Sequence, residues 1–172
     1  MKKIAIITSE NLEIISSIKN YFTNKDIKIE IIDVKNDTKN YDLIAFTGFE
    51  TELPENFINT NSSILNIFPS LLPAFQTNTP IKDTFTSGVK VGGVTIHKVG
   101  NKNFCEKILA QYPVLIGLTT HYNEYIEELK AVSSKIYPYV IDALINDKVF
   151  DYSDLFKNKC SGCSGNCGNC KH

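Results

Sequence analysis

Nowhere does this chain approach the roughly 18 to 20 consecutive apolar residues that a membrane span requires, so no transmembrane helix is expected. Neither sign of charge is in excess: 18 Lys and Arg stand against 19 Asp and Glu, a formal net charge of -1. With no clustered Lys/Arg face, there is no field to gather a phosphate backbone or an anionic membrane surface, and neither is an expected partner. No internal repeat is visible. The apolar run Ile4 to Ile7 is far too short for a signal-peptide core and no small-residue cleavage site follows it, so a cytoplasmic location is expected. Cysteine is scarce until the end, where four of the five fall within the last thirteen residues. In a reducing compartment such thiols are not expected to form structural disulfides.

A length of 172 residues with 42% hydrophobic and 22% charged content can bury one good core. One α/β domain is expected over residues 1–150, a polar linker over 151–159 and a Cys-rich tail over 160–172. Lys3 to Thr8 reads as a buried strand, and Ser9 offers an N-cap to a helix whose Leu12, Ile15, Ile18 and Phe22 share one face. Ile27 to Val34, Asp42 to Thr47 and Asn61 to Phe68 read as further strands. A short helix over Thr79 to Ser87 closes at Gly88, strands follow at Val91 to Val99 and Ile108 to Leu115, and a long helix over Asn123 to Ile145 contains Pro138. Strands alternating with helices indicate a largely parallel sheet, in which ligands bind beyond the strand carboxyl ends, near Gly48 and Asn66.

The run Asn66-Ile67-Phe68-Pro69-Ser70-Leu71-Leu72-Pro73 resembles the Asn-x-His-Pro-Ser-Leu-Leu-Pro signature of the folate-dependent glycinamide ribonucleotide formyltransferases. The likeness continues through Gly88 to His97 and Ile108 to Gln111, and resumes at Pro113 to Gly117 and at Ile136-Tyr137-Pro138. It implies a Rossmann-like, mostly parallel sheet with flanking helices, and a small-molecule ligand, 10-formyltetrahydrofolate. Asn66 matches the family's catalytic Asn. Phe49, Glu50, Thr51, Glu52 and Leu53 match the segment whose backbone holds the pterin.

The chemistry of that family sends an amine at a formyl carbon, so positioned donors must meet a developing oxyanion and a proton must leave the nitrogen. An Asn and a His meet the oxygen there, and an Asp positions the His. In this chain the His position is Phe68 and the Asp position is Phe104, with Cys105 and Glu106 in place of the glycines that follow. Phenyl rings supply no strong hydrogen bond, so formyl transfer is expected to be weak or lost. The matched change suggests that the Phe68 and Phe104 rings pack together, about 4.5 to 7 Å apart. The nucleotide end departs as well. Thr8-Ser9-Glu10-Asn11-Leu12 lacks the family's glycine and carries a carboxylate where a phosphate would land, and the family's Glu-His pair is Ser133-Ser134.

Other residues invite a functional reading with an ordinary one beside it. His97 matches a histidine often seen in the family, yet a lone His in an apolar strand is more often structural. His121 is expected near the start of the last helix, facing water. Cys105 beside Glu106 and Lys107 offers a redirected nucleophile, whereas a free Cys is commonly a small buried hydrophobe. An enzyme of altered chemistry through Cys105, Glu106 or His97 is therefore one alternative. The tail supplies another. Cys160-x-x-Cys163 and Cys167-x-x-Cys170 are two chelating pairs nearly back to back, suited to zinc or an Fe-S cluster, with Gly162, Gly165 and Gly168 free to turn around an ion. Lys157, Lys159 and Lys171 partly offset the charge of four thiolates. On this reading the chain is a metal-binding or redox-sensing protein, and a protein partner reads the tail.

Overall fold

Of the 172 residues, the computed structural model describes all but 9–11, 37, 49–52, 62, 101–104 and 149–172. The elements run β1 (Lys2–Ile7), α1 (Leu12–Phe22), β2 (Ile27–Ile31), β3 (Leu43–Phe46), α2 (Glu55–Thr60), β4 (Ile64–Phe68), α3 (Pro80–Thr86), β5 (Val91–Val99), β6 (Cys105–Leu115) and α4 (Tyr122–Ile145). The strands form a single sheet in the order β2-β1-β3-β4-β5-β6. Pairing is parallel from β2 to β4 and antiparallel at β4–β5 and β5–β6, so the α/β sheet is mixed, with its parallel part in the first four strands.

Alternation along the strands separates two cores. Ile4, Ile6, Leu65, Ile67, Val94 and Ile96 face α1 and α4, while Ala5, Ile7, Ile44, Phe46 and Ile64 face α2 through Phe57 and Ile58. Asn66, Phe68, Thr95 and His97, at the alternate positions, therefore share the α2 face. Edge strand β6 tolerates Pro113 because no further strand needs its missing N–H. Opposite it, Gly93 has φ 150°, and a Cβ there would lie 2.2 Å from the Tyr112 carbonyl oxygen, which only glycine avoids.

Several boundaries depart from the sequence reading. Leu12 is 75% exposed, and the buried stripe of α1 is Ile14, Ile15, Ile18 and Phe22, because 12 and 15 fit the helical period as well as 14 and 18 do. Helix α2 was not expected; at six residues it is too short to show a period. Strand β2 stops at Ile31, and β6 begins at Cys105, three residues before Ile108, through a polar stretch that pairs with the end of β5. The proposed Ser9 cap, the linker and the Cys-rich tail lie outside the described residues. No helix among the described residues is long and apolar enough to cross a membrane.

Pro138 sits within α4, which continues through it. Lacking an N–H, it cannot bond the carbonyl four residues back, that of Ser134. That oxygen instead accepts the Ser17 hydroxyl of α1 at 2.5 Å. The helix defect thus becomes a docking contact between α1 and α4. Ser17→Ala should cost about 1 to 3 kcal/mol by leaving the carbonyl unpaired. In a Pro138→Ala background, where the helix supplies its own N–H, the same change should cost much less; urea denaturation of the four proteins in the mutant cycle measures the coupling.

Candidate active site

The site is built on a two-by-two patch of β4 and β5. Antiparallel register sets Asn66 opposite His97 and Phe68 opposite Thr95. At one end of the patch a buried hydroxyl organises the loop after β4. Thr95 Oγ1 donates to the Ser70 carbonyl at 2.7 Å and accepts the Leu72 N–H at 3.0 Å and Gln111 Nε2 at 3.1 Å. One donor and two acceptor positions exhaust the capacity of a hydroxyl. Gln111 of β6 also donates to the Leu72 carbonyl at 2.8 Å, and Ser70 Oγ donates to the Ala74 carbonyl at 2.7 Å. The Pro-Ser-Leu-Leu-Pro segment is therefore held by two strands, β5 and β6.

At the other end the polar groups are sparse. His97 is 2% exposed. Its Nδ1 lies 2.9 Å from the Lys98 carbonyl oxygen, which can only accept, so Nδ1 carries the proton. Burial pushes the imidazole below its ordinary pKa, and the bond to Lys98 opposes this in part. The ring is then neutral, with a lone pair on Nε2. Asn66 Nδ2 faces that lone pair at 3.5 Å, while Asn66 Oδ1 is shielded from water and has no hydrogen-bond partner among the described residues. The Phe68 ring stands edge-on to the imidazole, centroids 6.5 Å apart at 72°. Behind the sheet, the Tyr137 hydroxyl of α4 shares its one proton between the carbonyls of Phe46 and Leu65, each at 2.9 Å. Complete burial raises its pKa well above the ordinary value, so it stays a neutral donor. The Leu65 carbonyl belongs to the peptide leading into Asn66, so α4 fixes the backbone that carries the amide.

The expected site residues are only partly gathered here. Asn66, Phe68 and His97 come together, and the partnership of His97 with Asn66 was not foreseen. Register alone makes it, between residues 31 apart in the chain. Phe104 lies outside the described residues, as do Phe49, Glu50, Thr51 and Glu52 and the cysteines Cys160, Cys163, Cys167 and Cys170. The Leu53 side chain is buried in the α2-side core. Cys105 is half-buried at the start of β6, opposite Val99 and toward the amino end of β4, and burial pushes its thiol up, away from a reactive thiolate. His121 is exposed at the N-cap of α4, where its N–H donates to Glu124 at 2.9 Å. Ser133 is spent on the Leu129 carbonyl at 2.7 Å, while the buried hydroxyls of Thr8 and Ser134 have no partner among the described residues. Among the described residues, no group of three or more His, Cys, Asp or Glu is placed to hold a metal ion.

Comparison with known proteins agrees with this architecture. The family model described as formyl transferase matches residues 2–141, most of the chain. The chain belongs to the formyl transferase family. It is 31% identical over 105 residues to the phosphoribosylglycinamide formyltransferase of Bacillus subtilis (strain 168), covering 60% of this chain and 54% of that protein. It is also 25% identical over 101 residues to the formyltetrahydrofolate deformylase of Haemophilus influenzae, covering 59% of this chain and 36% of that one. The match thus spans about half the length of the first of these relatives and less of the second. Among solved structures, phosphoribosylglycinamide formyltransferase from Anaplasma phagocytophilum superposes with a TM-score of 0.75 at 20% identity, over 88% of this chain and 90% of that one. Glycinamide ribonucleotide transformylase 1 from Geobacillus kaustophilus gives 0.71 at 21% identity, over 84% and 99%. These structural likenesses establish the shared fold.

The buried neutral His97 makes stability depend on pH. An unfolded histidine takes up a proton below about pH 6.5, whereas the folded site resists it, so the unfolded state binds more protons as pH falls. The stabilisation is complete above that pH and declines below it. Urea midpoints measured at about pH 7.5 and about pH 5 should fall further for the wild-type chain than for His97→Gln, which cannot titrate in this window.

Proposed function

We propose that the α2 face around Asn66 and His97 binds a folate-type one-carbon carrier, and that transfer of a formyl group to glycinamide ribonucleotide is weak or lost in this chain. One observation carries the reading: Asn66, which by resemblance matches the family's catalytic Asn, stands beside His97 on a hydrogen-bonded Pro-Ser-Leu-Leu-Pro scaffold, with the phenyl ring of Phe68 at the position that resembles the family's His. A shielded amide oxygen without a partner fits a face that a ligand completes. The family membership supports a formyl carrier, and the name of the Haemophilus relative includes formyltetrahydrofolate.

The carrier supplies a formyl carbon, and the remaining requirements fall on this chain's own residues. The oxyanion needs donors. Phe68 has none, and His97 cannot replace it, because its single proton is committed to the Lys98 carbonyl. Losing one such donor costs about 2.7 to 4 kcal/mol, and losing acid/base assistance slows the step by a further hundred- to ten-thousandfold or so. Glu10, at the sequence position that resembles the family's phosphate loop, and Ser133-Ser134 in place of a Glu-His pair also disfavour the ribonucleotide.

Calorimetric titration of the full chain with 10-formyltetrahydrofolate should show saturable heat, and silence up to about millimolar ligand removes the folate reading. Turnover of glycinamide ribonucleotide should be barely measurable and should rise at least about a hundredfold in the Phe68→His/Phe104→Asp double variant. Robust turnover by the unaltered chain would contradict the loss of chemistry.

A second reading rests on the tail, where the spacing Cys160-x-x-Cys163-x-x-x-Cys167-x-x-Cys170 is suited to one four-thiolate centre. On this reading a zinc ion or Fe-S cluster is held beyond the α/β domain and presented to a protein partner. Elemental analysis and a visible spectrum of anaerobically purified chain should give about one zinc, or the iron of one cluster, per molecule. Material with neither metal, even after reconstitution, rules the centre out.

A further inference from the structure

Strand β2 ends the sheet, and no other strand among the described residues pairs with its outer side. The Ile32 N–H donates to the Ile6 carbonyl at 2.9 Å, so Lys28 and Glu30 turn their backbone groups toward β1 and, by alternation, Ile29 and Ile31 turn theirs outward. Natural edges are blunted by proline, by bulges or by charges that repel a copy of the same strand. This edge has no proline and follows β1 without a register shift. Its two charges, Lys28 and Glu30, are a matched pair 2.5 Å apart. They lie on the α2 face, while Ile27 and Ile29 pack toward α1 and α4 on the other. Ile31, at the carboxyl end, is 49% exposed. A second exposed apolar residue shares that flank. Ser17 and Tyr21 turn one side of α1 to α4, and the helical period puts Leu12 on the opposite side, toward the β2 edge.

We infer that the β2 edge takes a second copy of this chain, joined antiparallel about a twofold axis through Ile29, so that the two sheets become one. The strand is its own complement in that register. Ile29 faces the partner's Ile29, Ile27 faces the partner's Ile31, and Lys28 faces the partner's Glu30. Ile29 exchanges both backbone bonds with its counterpart, and the Ile31 N–H meets the partner's Ile27 carbonyl, which uses the groups that point outward. Each lysine meets a carboxylate, and the four side chains alternate in charge across the junction. An axis one residue away, through Lys28 or Glu30, would set like charge directly against like and turn the inward-facing residues to the seam. The charges thus select one register instead of preventing all of them. Leu12 and Ile31 add apolar surface beside the junction. Strands β1 and β3 separate this edge from β4, so the dimer leaves the Asn66 face open and the inference does not depend on the folate reading.

Sedimentation equilibrium of the full chain, from about 1 to about 500 µM, should show the average mass rising from that of the monomer toward twice that value. Two charge reversals test the register. The Lys28→Glu chain carries two acids at positions 28 and 30, and the Glu30→Lys chain carries two bases, so each alone should dimerise at least about tenfold more weakly. An equimolar mixture should recover, as a heterodimer, to within about threefold of the unaltered chain. Neither misfolding nor loss of the Tyr41 hydrogen bond to Glu30 produces such recovery. Monomer mass over the whole range overturns the inference, as does a dimer that both variants form unchanged, or a weakening that mixing does not repair. Amide exchange locates the contact: the Ile29 and Ile31 N–H groups should exchange more slowly as concentration rises. Slow exchange of both in a chain that stays monomeric would mean that its own residues cover the edge, which also overturns the inference.

Discussion

The buried hydroxyl of Thr95 holds the candidate site in shape. It spends its one proton on the Ser70 carbonyl and both acceptor positions on the Leu72 N–H and Gln111, so no bonding capacity is left over and none is missing. Thr95 lies on β5, and its partners come from β6 and the loop after β4, so one hydroxyl ties the three together. Asn66 and Phe68 inherit their directions from this arrangement, because β4 must end where Thr95 holds its continuation. A fully satisfied buried network specifies a geometry more sharply than apolar packing of the same residues would.

On the opposite face, α4 completes the constraint in two neighbouring contacts. Pro138 releases the Ser134 carbonyl to the Ser17 hydroxyl, which sets α1 against α4. One residue earlier, the Tyr137 hydroxyl reaches the carbonyls of Phe46 and Leu65. The first contact seats the helix, and the second carries that position into the peptide before Asn66. The patch of Asn66, Phe68, Thr95 and His97 is thus held from both sides of the sheet by buried hydroxyls.

Much of this fold was legible in the chain itself. Continuous apolar runs such as Ile4 to Ile7 and Leu43 to Phe46 can only be strands buried on both faces, and the Pro-Ser-Leu-Leu-Pro run marked the loop that crosses them. Where reading failed, the local signal was degenerate. Leu12 and Ile14 both fit a period of 3.6 beside Ile15 and Ile18, and only packing against the sheet decides that Leu12 faces water. Polar Glu106 and Lys107 masked the start of β6, since an edge strand need not be apolar on both faces. The pairing of His97 with Asn66 was beyond any local pattern, because it exists only once β5 folds back antiparallel on β4. Its chemistry would then have been readable, given that a backbone carbonyl admits one tautomer.

The hydrogen bonds that hold the loop and the side chain at position 68 are physically separate. Among the described residues, the side-chain hydrogen bonds around the loop run from Thr95, Gln111 and Ser70 to one another and to main chain, and none involves the side chain of Phe68. A ring placed at 68 therefore breaks no bond of the scaffold and gains an edge-on contact with His97. Replacing Thr95 instead would strand three partners at once. The loop is held by Thr95 and Gln111, and the Phe68 ring packs beside them on His97 without joining those bonds. A preserved Pro-Ser-Leu-Leu-Pro segment accordingly testifies to the scaffold.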